Sequence, residues 1–165
     1  MATPLLQSMG RRVVVVSTDD PGAAQAAKLA NQIALAAQMA GVAEALAYGV
    51  GQGLAAERVT SVLLASTGRS WSSEVNSPAP GVVATAPASR GYAGGFAVRL
   101  MAKDLQAARD SAPPGVPMPM SEATAALFEA ASGAGGGDLD FSCIYKLVYG
   151  VDGEAEAGKG GERVA

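Results

Sequence analysis

Histidine is absent from this 165-residue chain, and cysteine occurs once, at Cys143. The first absence excludes a Ser-His-Asp triad and any mechanism built on a histidine base. Together they leave no Cys/His set for zinc, so no metal site is expected. One cysteine cannot form an internal disulfide, and Cys143 lies in an apolar stretch, so it reads as a packed thiol. Aromatic residues make up only 5% of the chain, the net charge is −3, and no basic cluster is present. A nucleic-acid partner therefore lacks its electrostatic footprint. The longest run of β-branched residues, Val13–Val16, is too short for the apolar core of a secretory signal.

Alanine and glycine are abundant instead, within a chain that is 49% hydrophobic. Small side chains let helices approach closely and favour helix over sheet. Asp20-Pro21-Gly22 is a helix start, with Asp20 as cap and proline tolerated in the first turn. From there the pattern predicts a long helix to about Gly51, apolar or small on most sides. It carries Asn31, Gln32, Gln38 and Glu44, and its apolar residues are mostly alanine, so a membrane span is not expected and the chain reads as soluble.

A second helix is predicted at about 55–65. A long Ser/Pro/Gly-rich loop follows over 69–93, with one helical turn near 71–75; loops of this length are usually functional. A third helix runs from about Gly95 to Ser111, stopped by Pro113 and Pro114. Ser121 caps a fourth, to about Ala131, and Gly133–Gly137 reads as a flexible break. The last predicted helix covers about 139–149, and the polar, glycine-rich residues 150–165 read as a disordered tail. Val13–Val16 is a buried-strand signal that stands alone.

Within the long helix, Gln25, Lys28 and Gln32 share one narrow face. A lysine buried there loses hydration, which lowers its pKa and suits it to proton exchange near neutral pH. In the third helix Phe96 and Lys103 are seven residues apart and return to within about 20° of each other. Ser66-Thr67-Gly68-Arg69-Ser70-Trp71 reads either as an anion contact or as a capped turn around a tryptophan. Gly49-Val50-Gly51-Gln52-Gly53 has the wrong spacing and context for a dinucleotide loop.

Six stretches in order, Gln25–Asn31, Ser66–Ser73, Pro78–Val82, Gly91–Phe96, Leu100–Leu105 and Leu139–Ser142, resemble the C-terminal domain of the 3-hydroxyisobutyrate dehydrogenase family, a branch of the β-hydroxyacid dehydrogenases. The resemblance covers about residues 3–149. It implies an all-α, multi-helical domain like the C-terminal domain of 6-phosphogluconate dehydrogenase, over 20–149. Residues 1–19 would then be a remnant of the last part of a nucleotide-binding domain, with Val13–Val16 as its short β piece. No strand–GxGxxG–helix unit is present, so that domain is expected to be missing from this chain.

The family implies NAD-linked oxidation of 3-hydroxyisobutyrate to methylmalonate semialdehyde in valine breakdown. Lys28 matches the catalytic lysine, the proton donor and acceptor. Asn31, Gln32 and Phe96 match the substrate-binding region, and Lys103 and Asp104 match cofactor-binding positions, Asp104 also supporting the geometry. Where the family has an asparagine four residues after the lysine, this chain has Gln32, one methylene longer; where it has a glycine four before, this chain has Ala24. The resemblance also implies a small hydroxy acid as ligand and a homo-oligomer through the long helix. Its compartment is mitochondrial in eukaryotes and cytoplasmic in bacteria. The alternatives are a catalytically silent dimerisation module and a related semialdehyde reductase.

Overall fold

The computed structural model describes residues 3–10 and 12–150. Helices α1 (Thr3–Met9), α2 (Ala23–Gly51), α3 (Ala56–Ala65), α4 (Trp71–Glu74), α5 (Val98–Asp110), α6 (Pro119–Ala131) and α7 (Ile144–Leu147) build an all-α domain, with 3-10 turns at Pro87–Arg90 and Phe141–Cys143. Among the described residues the one β-type pairing is an isolated antiparallel bridge between Ala97 and Asp140.

The C-terminal two-thirds of α2 is the spine. Ala36, Met39, Ala43 and Leu46 follow a three-and-four spacing along it and are fully buried. Against them pack Val98, Met101 and Leu105 of α5 and Ala125, Phe128 and Ala131 of α6, closed from the C-terminal side by Phe141, Ile144 and Tyr145. Alanine on this face keeps the axes close. At Gly49, a Cβ would stand 2.5 Å from a methyl of Val59, so α2 and α3 touch backbone to side chain there.

Several expectations change. Val13–Val16 has no strand partner among the described residues, and Val14, Val15 and Val16 are 67%, 63% and 48% exposed. β-branched residues favour extended backbone, but without a neighbouring strand nothing satisfies or buries it. The segment before it is a helix, α1. The start of α2 is exposed: from Ala24 to Asn31 only Leu29 is buried. The expected burial on most sides fails there because, among the described residues, only Asp104 of α5 reaches those turns through an ion pair, at Lys28.

Asp20 does not cap α2 directly. Its carboxylate accepts from Gly22 N at 2.7 Å, and Gly22 is the N-cap. α5 begins three residues late, at Val98, because 95–97 are drawn into contact with 139–141. Pro119 opens α6, so Ser121 lies inside its first turn rather than at the cap. Ser132–Gly136 is a π-helical turn, with Gly135 at φ +87°, instead of a loose break. The expected last helix splits into the Phe141–Cys143 turn and α7. The expected tail at 151–165 lies outside the described residues.

Phe128 is fully buried between α2, α5 and the Phe141 ring. Phe128→Ala is expected to destabilise the domain by about 3–5 kcal/mol, measured as a fall in the urea midpoint at unchanged slope.

Candidate functional site

Two buried carboxylates organise the polar part of the molecule. The first is Asp104, which faces α2 from α5 and has a side chain only 3% exposed. One of its oxygens pairs with the ammonium of Lys28 and accepts from Gln32 Nε2 at 3.1 Å. The other oxygen is 3.2 Å from Lys103 Nζ. Asn31 Nδ2 donates to Gln32 Oε1 at 3.3 Å. Sequence spacing on α2 and adjacency on α5 thus bring Lys28, Asn31, Gln32, Lys103 and Asp104 into one cluster.

The electrostatics follow from this set. Burial pushes the Asp104 carboxyl up, but hydrogen bonds from Lys28 and then Lys103 outweigh it and hold the group below its ordinary range. Lys28 is not the buried lysine expected from the alanine-rich helix. Its side chain is 44% exposed, with its tip tied to a buried acid. Gln32 is buried and spends its amide on Asp104 and Asn31. Through that amide it reaches across to α5.

The second carboxylate is Asp140, 1% exposed. Oδ1 accepts from Asn76 Nδ2 at 3.1 Å and from Ser142 N at 3.0 Å. Oδ2 accepts from Phe96 N at 2.8 Å. Gly95, at φ +72°, passes so close that a Cβ would lie 2.1 Å from Asp140 Oδ2. Phe96 is therefore held by its backbone, and its ring meets Phe141 edge to face at 6.1 Å. Phe96 precedes α5, so it does not share a helical face with Lys103 as the seven-residue spacing implied; it belongs to the Asp140 node. Asp140 and Asn76 were not singled out from sequence. An acid inside the apolar Leu139–Leu147 stretch was the available signal.

Trp71 stands between the two nodes. It lines an open cleft of about 370 Å³ with Asn31, Ala34, Leu35 and Gln38. It also borders a smaller cavity of about 230 Å³ with Asn76, Phe96 and Asp140. Trp71 is 48% exposed, and Ser70 caps α4 by accepting from Ser73 N. Arg69 is paired with Glu74, and its hydrogen bond holds the Glu74 carboxyl below its usual range. Of the two readings of this segment, the capped turn is present and the arginine is already engaged. Cys143 is a packed thiol as expected: burial and then the nearby Asp140 charge push it up to about 11, so it stays protonated at neutral pH.

Residues 22–148 match the family described as the NAD-binding domain of NADP-dependent 3-hydroxyisobutyrate dehydrogenase. The chain belongs to the 3-hydroxyisobutyrate dehydrogenase family. A probable mitochondrial 3-hydroxyisobutyrate dehydrogenase of Arabidopsis thaliana is 42% identical over 149 residues, covering 90% of this chain and 42% of that protein. An NAD-dependent L-serine dehydrogenase of Pseudomonas aeruginosa is 40% identical over 154 residues, covering 93% and 51%. The structure of the Mycobacterium tuberculosis 3-hydroxyisobutyrate dehydrogenase with L-serine superposes at a TM-score of 0.82 with 35% identity, covering 89% of this chain and 50% of that one. The chain thus spans about half the length of the relatives it matches. The family match covers every residue of both carboxylate nodes.

The lowered Asp104 carboxyl has a consequence for stability. A carboxyl lower in the folded state stabilises above its unfolded value, about pH 4, and that stabilisation is lost as pH falls through the folded value. Two exposed lysines temper the gain, so Asp104→Asn is expected to cost about 1–2 kcal/mol at pH 7. The difference from wild type should shrink on acidification below pH 4 in urea melts; a constant difference would mean that the lysines do not hold the group.

Proposed function

We propose that this chain supplies the proton-transfer and cofactor-contacting part of an NAD-dependent 3-hydroxyisobutyrate dehydrogenase, with Lys28 as proton donor and acceptor. The observation that carries this reading is the ammonium of the half-exposed Lys28 side chain anchored by the buried Asp104 carboxylate. A free lysine on the exposed start of α2 would sample many rotamers. The ion pair selects one and leaves N–H groups for a ligand, which is how positioning lowers a barrier. In the reducing direction Lys28 donates its proton to the carbonyl oxygen of the semialdehyde. In the oxidising direction it receives the proton of the 3-hydroxyl.

The donor set fits an anionic cofactor. Lys28 and Lys103 share a single carboxylate, which leaves one net positive charge on this face, and the Lys103 side chain is 68% exposed. Lys103 would hold the cofactor by charge, and Asp104 keeps both lysines in place. NAD, when bound, supplies the hydride acceptor. Asn31 faces the cleft beside Trp71 and is placed to bind the substrate's polar end, with Phe96 as an apolar wall beyond Trp71. Gln32 acts one step back, through Asp104.

The family reading extends to valine breakdown, and to mitochondria for a eukaryotic source, as the Arabidopsis, Drosophila and mouse relatives are named. A homo-oligomer through α2 is supported by its uncovered face, where Ala27, Ala30, Ala34 and Gly41 are exposed and Tyr48 is 71% exposed. Light scattering on the eluting chain is expected to give a multiple of the chain mass; a monomer would remove this part of the reading.

In an enzyme that joins this chain to a nucleotide-binding domain of the family, Lys28→Ala is expected to lower kcat at least a hundredfold. Lys28→Arg should rescue little, because arginine keeps its proton. Retention of full turnover in Lys28→Ala would sink the assignment.

A further inference from the structure

Three side-chain donors meet the Asp104 carboxylate, and they differ in stiffness. Lys28 and Lys103 end in ammonium groups on flexible stems, with side chains 44% and 68% exposed. Gln32 is buried, and its Nε2 donates to Asp104 Oδ2 at 3.1 Å. The orientation of that amide follows from the acid it faces. An ionised carboxylate only accepts, so Gln32 presents nitrogen to Asp104 and turns Oε1 elsewhere. Asn31 Nδ2 then donates to that oxygen at 3.3 Å. A directed run of hydrogen bonds results, from Asn31 through Gln32 to Asp104.

The carboxylate needs a stiff partner because the last torsion of an aspartate is soft, with broad wells. The two lysines cannot supply one equally. Lys103 precedes Asp104 on α5 and can follow the carboxylate as it turns. Lys28 reaches it from α2 and pairs with Oδ2, the oxygen that Gln32 also holds. A turn of the carboxylate would keep Lys103 paired and carry Oδ2 away from Lys28.

We propose that Gln32, its amide oriented by Asn31, is a positioning residue that fixes the rotation of the Asp104 carboxylate and so holds Lys28, but not Lys103, in place. The effect on turnover rests on the reading of Lys28 as the proton-transfer group. The effect on the order of the Lys28 side chain does not.

Gln32→Met tests this, because methionine is similar in length, suits a buried position and offers no donor. In the 13C-labelled chain, relaxation of the Cε methylenes of Lys28 and Lys103 reports their order, each signal assigned by its loss in the arginine variant. The Lys28 order parameter is expected to fall by about a third or more, and that of Lys103 to stay within about a tenth. In the enzyme joined to a nucleotide-binding domain, kcat should fall at least about tenfold, with KM for the hydroxy acid within about twofold.

Should Gln32→Met fail to fold, Asn31→Ala, at an exposed side chain, takes its place, with an expected loss of order at Lys28 about half as large. Three results overturn the proposal. Unchanged order at Lys28 in the variant that folds would mean that the lysine needs no brace. Equal loss at both lysines would mean a general loosening between α2 and α5. A raised KM with kcat unchanged in Gln32→Met would mean that Gln32 contacts the ligand itself. Full turnover in Lys28→Ala would remove the catalytic reading instead, and the order measurements would still decide this one.

Discussion

A buried carboxylate on α5 with two lysines to answer it is the constraint on which the candidate site depends. Asp104 sits beside the fully buried Leu105, at the seam between α5 and α2. Placed there without a cation it would be costly; placed there with Lys28 and Lys103 it becomes a fixed point. Hydrophobic burial brings the helices together, but it is indifferent to where an exposed lysine points. The ion pair gives Lys28 a direction, and Gln32 completes the set by donating from one turn further along α2. The site is therefore a by-product of how α2 and α5 are joined, and this gives it rigidity without burying the lysine.

Asp140 solves a similar problem with different means. It is as buried as Asp104, yet it is met by an asparagine and two backbone amides. Those bonds tie together three segments far apart in sequence: the loop after α4, the turn before α5 and the segment leading into α7. The tie explains why Gly95 must be glycine and why Phe96 is held by its main chain. One carboxylate orders mobile cations at an exposed face; the other orders backbone around an aromatic cavity. Trp71 borders the cleft beside Asn31 and the cavity beside Asp140.

Much of the fold was legible because it is local. α2 ends at Gly51 and α3 covers Ala56–Ala65 as periodicity and glycine placement indicate, and the single turn at Trp71 was also visible. What failed depends on partners distant in sequence. Val13–Val16 carries strand propensity, which means little where no described segment pairs with it. The start of α5 moved because Val98 N bonds to Leu139 O, a contact no local pattern encodes. Alanine caused the other error. It is equally at home in a packed seam and on a bare helix face, so an alanine-rich helix does not say which of its turns are covered, and Lys28 was placed inside when it lies at the rim.

The same ambiguity bears on Gln32. Read on the helix alone, it is an amide on the lysine's face, one methylene too long for a substrate contact. Placed in the fold, its amide is turned inward and donates to Asp104. The outward-facing amide is Asn31, one residue earlier, bordering the cleft beside Trp71. The two residues leave the helix axis about 100° apart, so their amides face different neighbours even though they meet each other at 3.3 Å. Gln32 thus braces the carboxylate that pairs with Lys28, while Asn31 donates to Gln32 and borders the cleft. Shortening Gln32 would then act on the lysine's aim before it acted on any ligand.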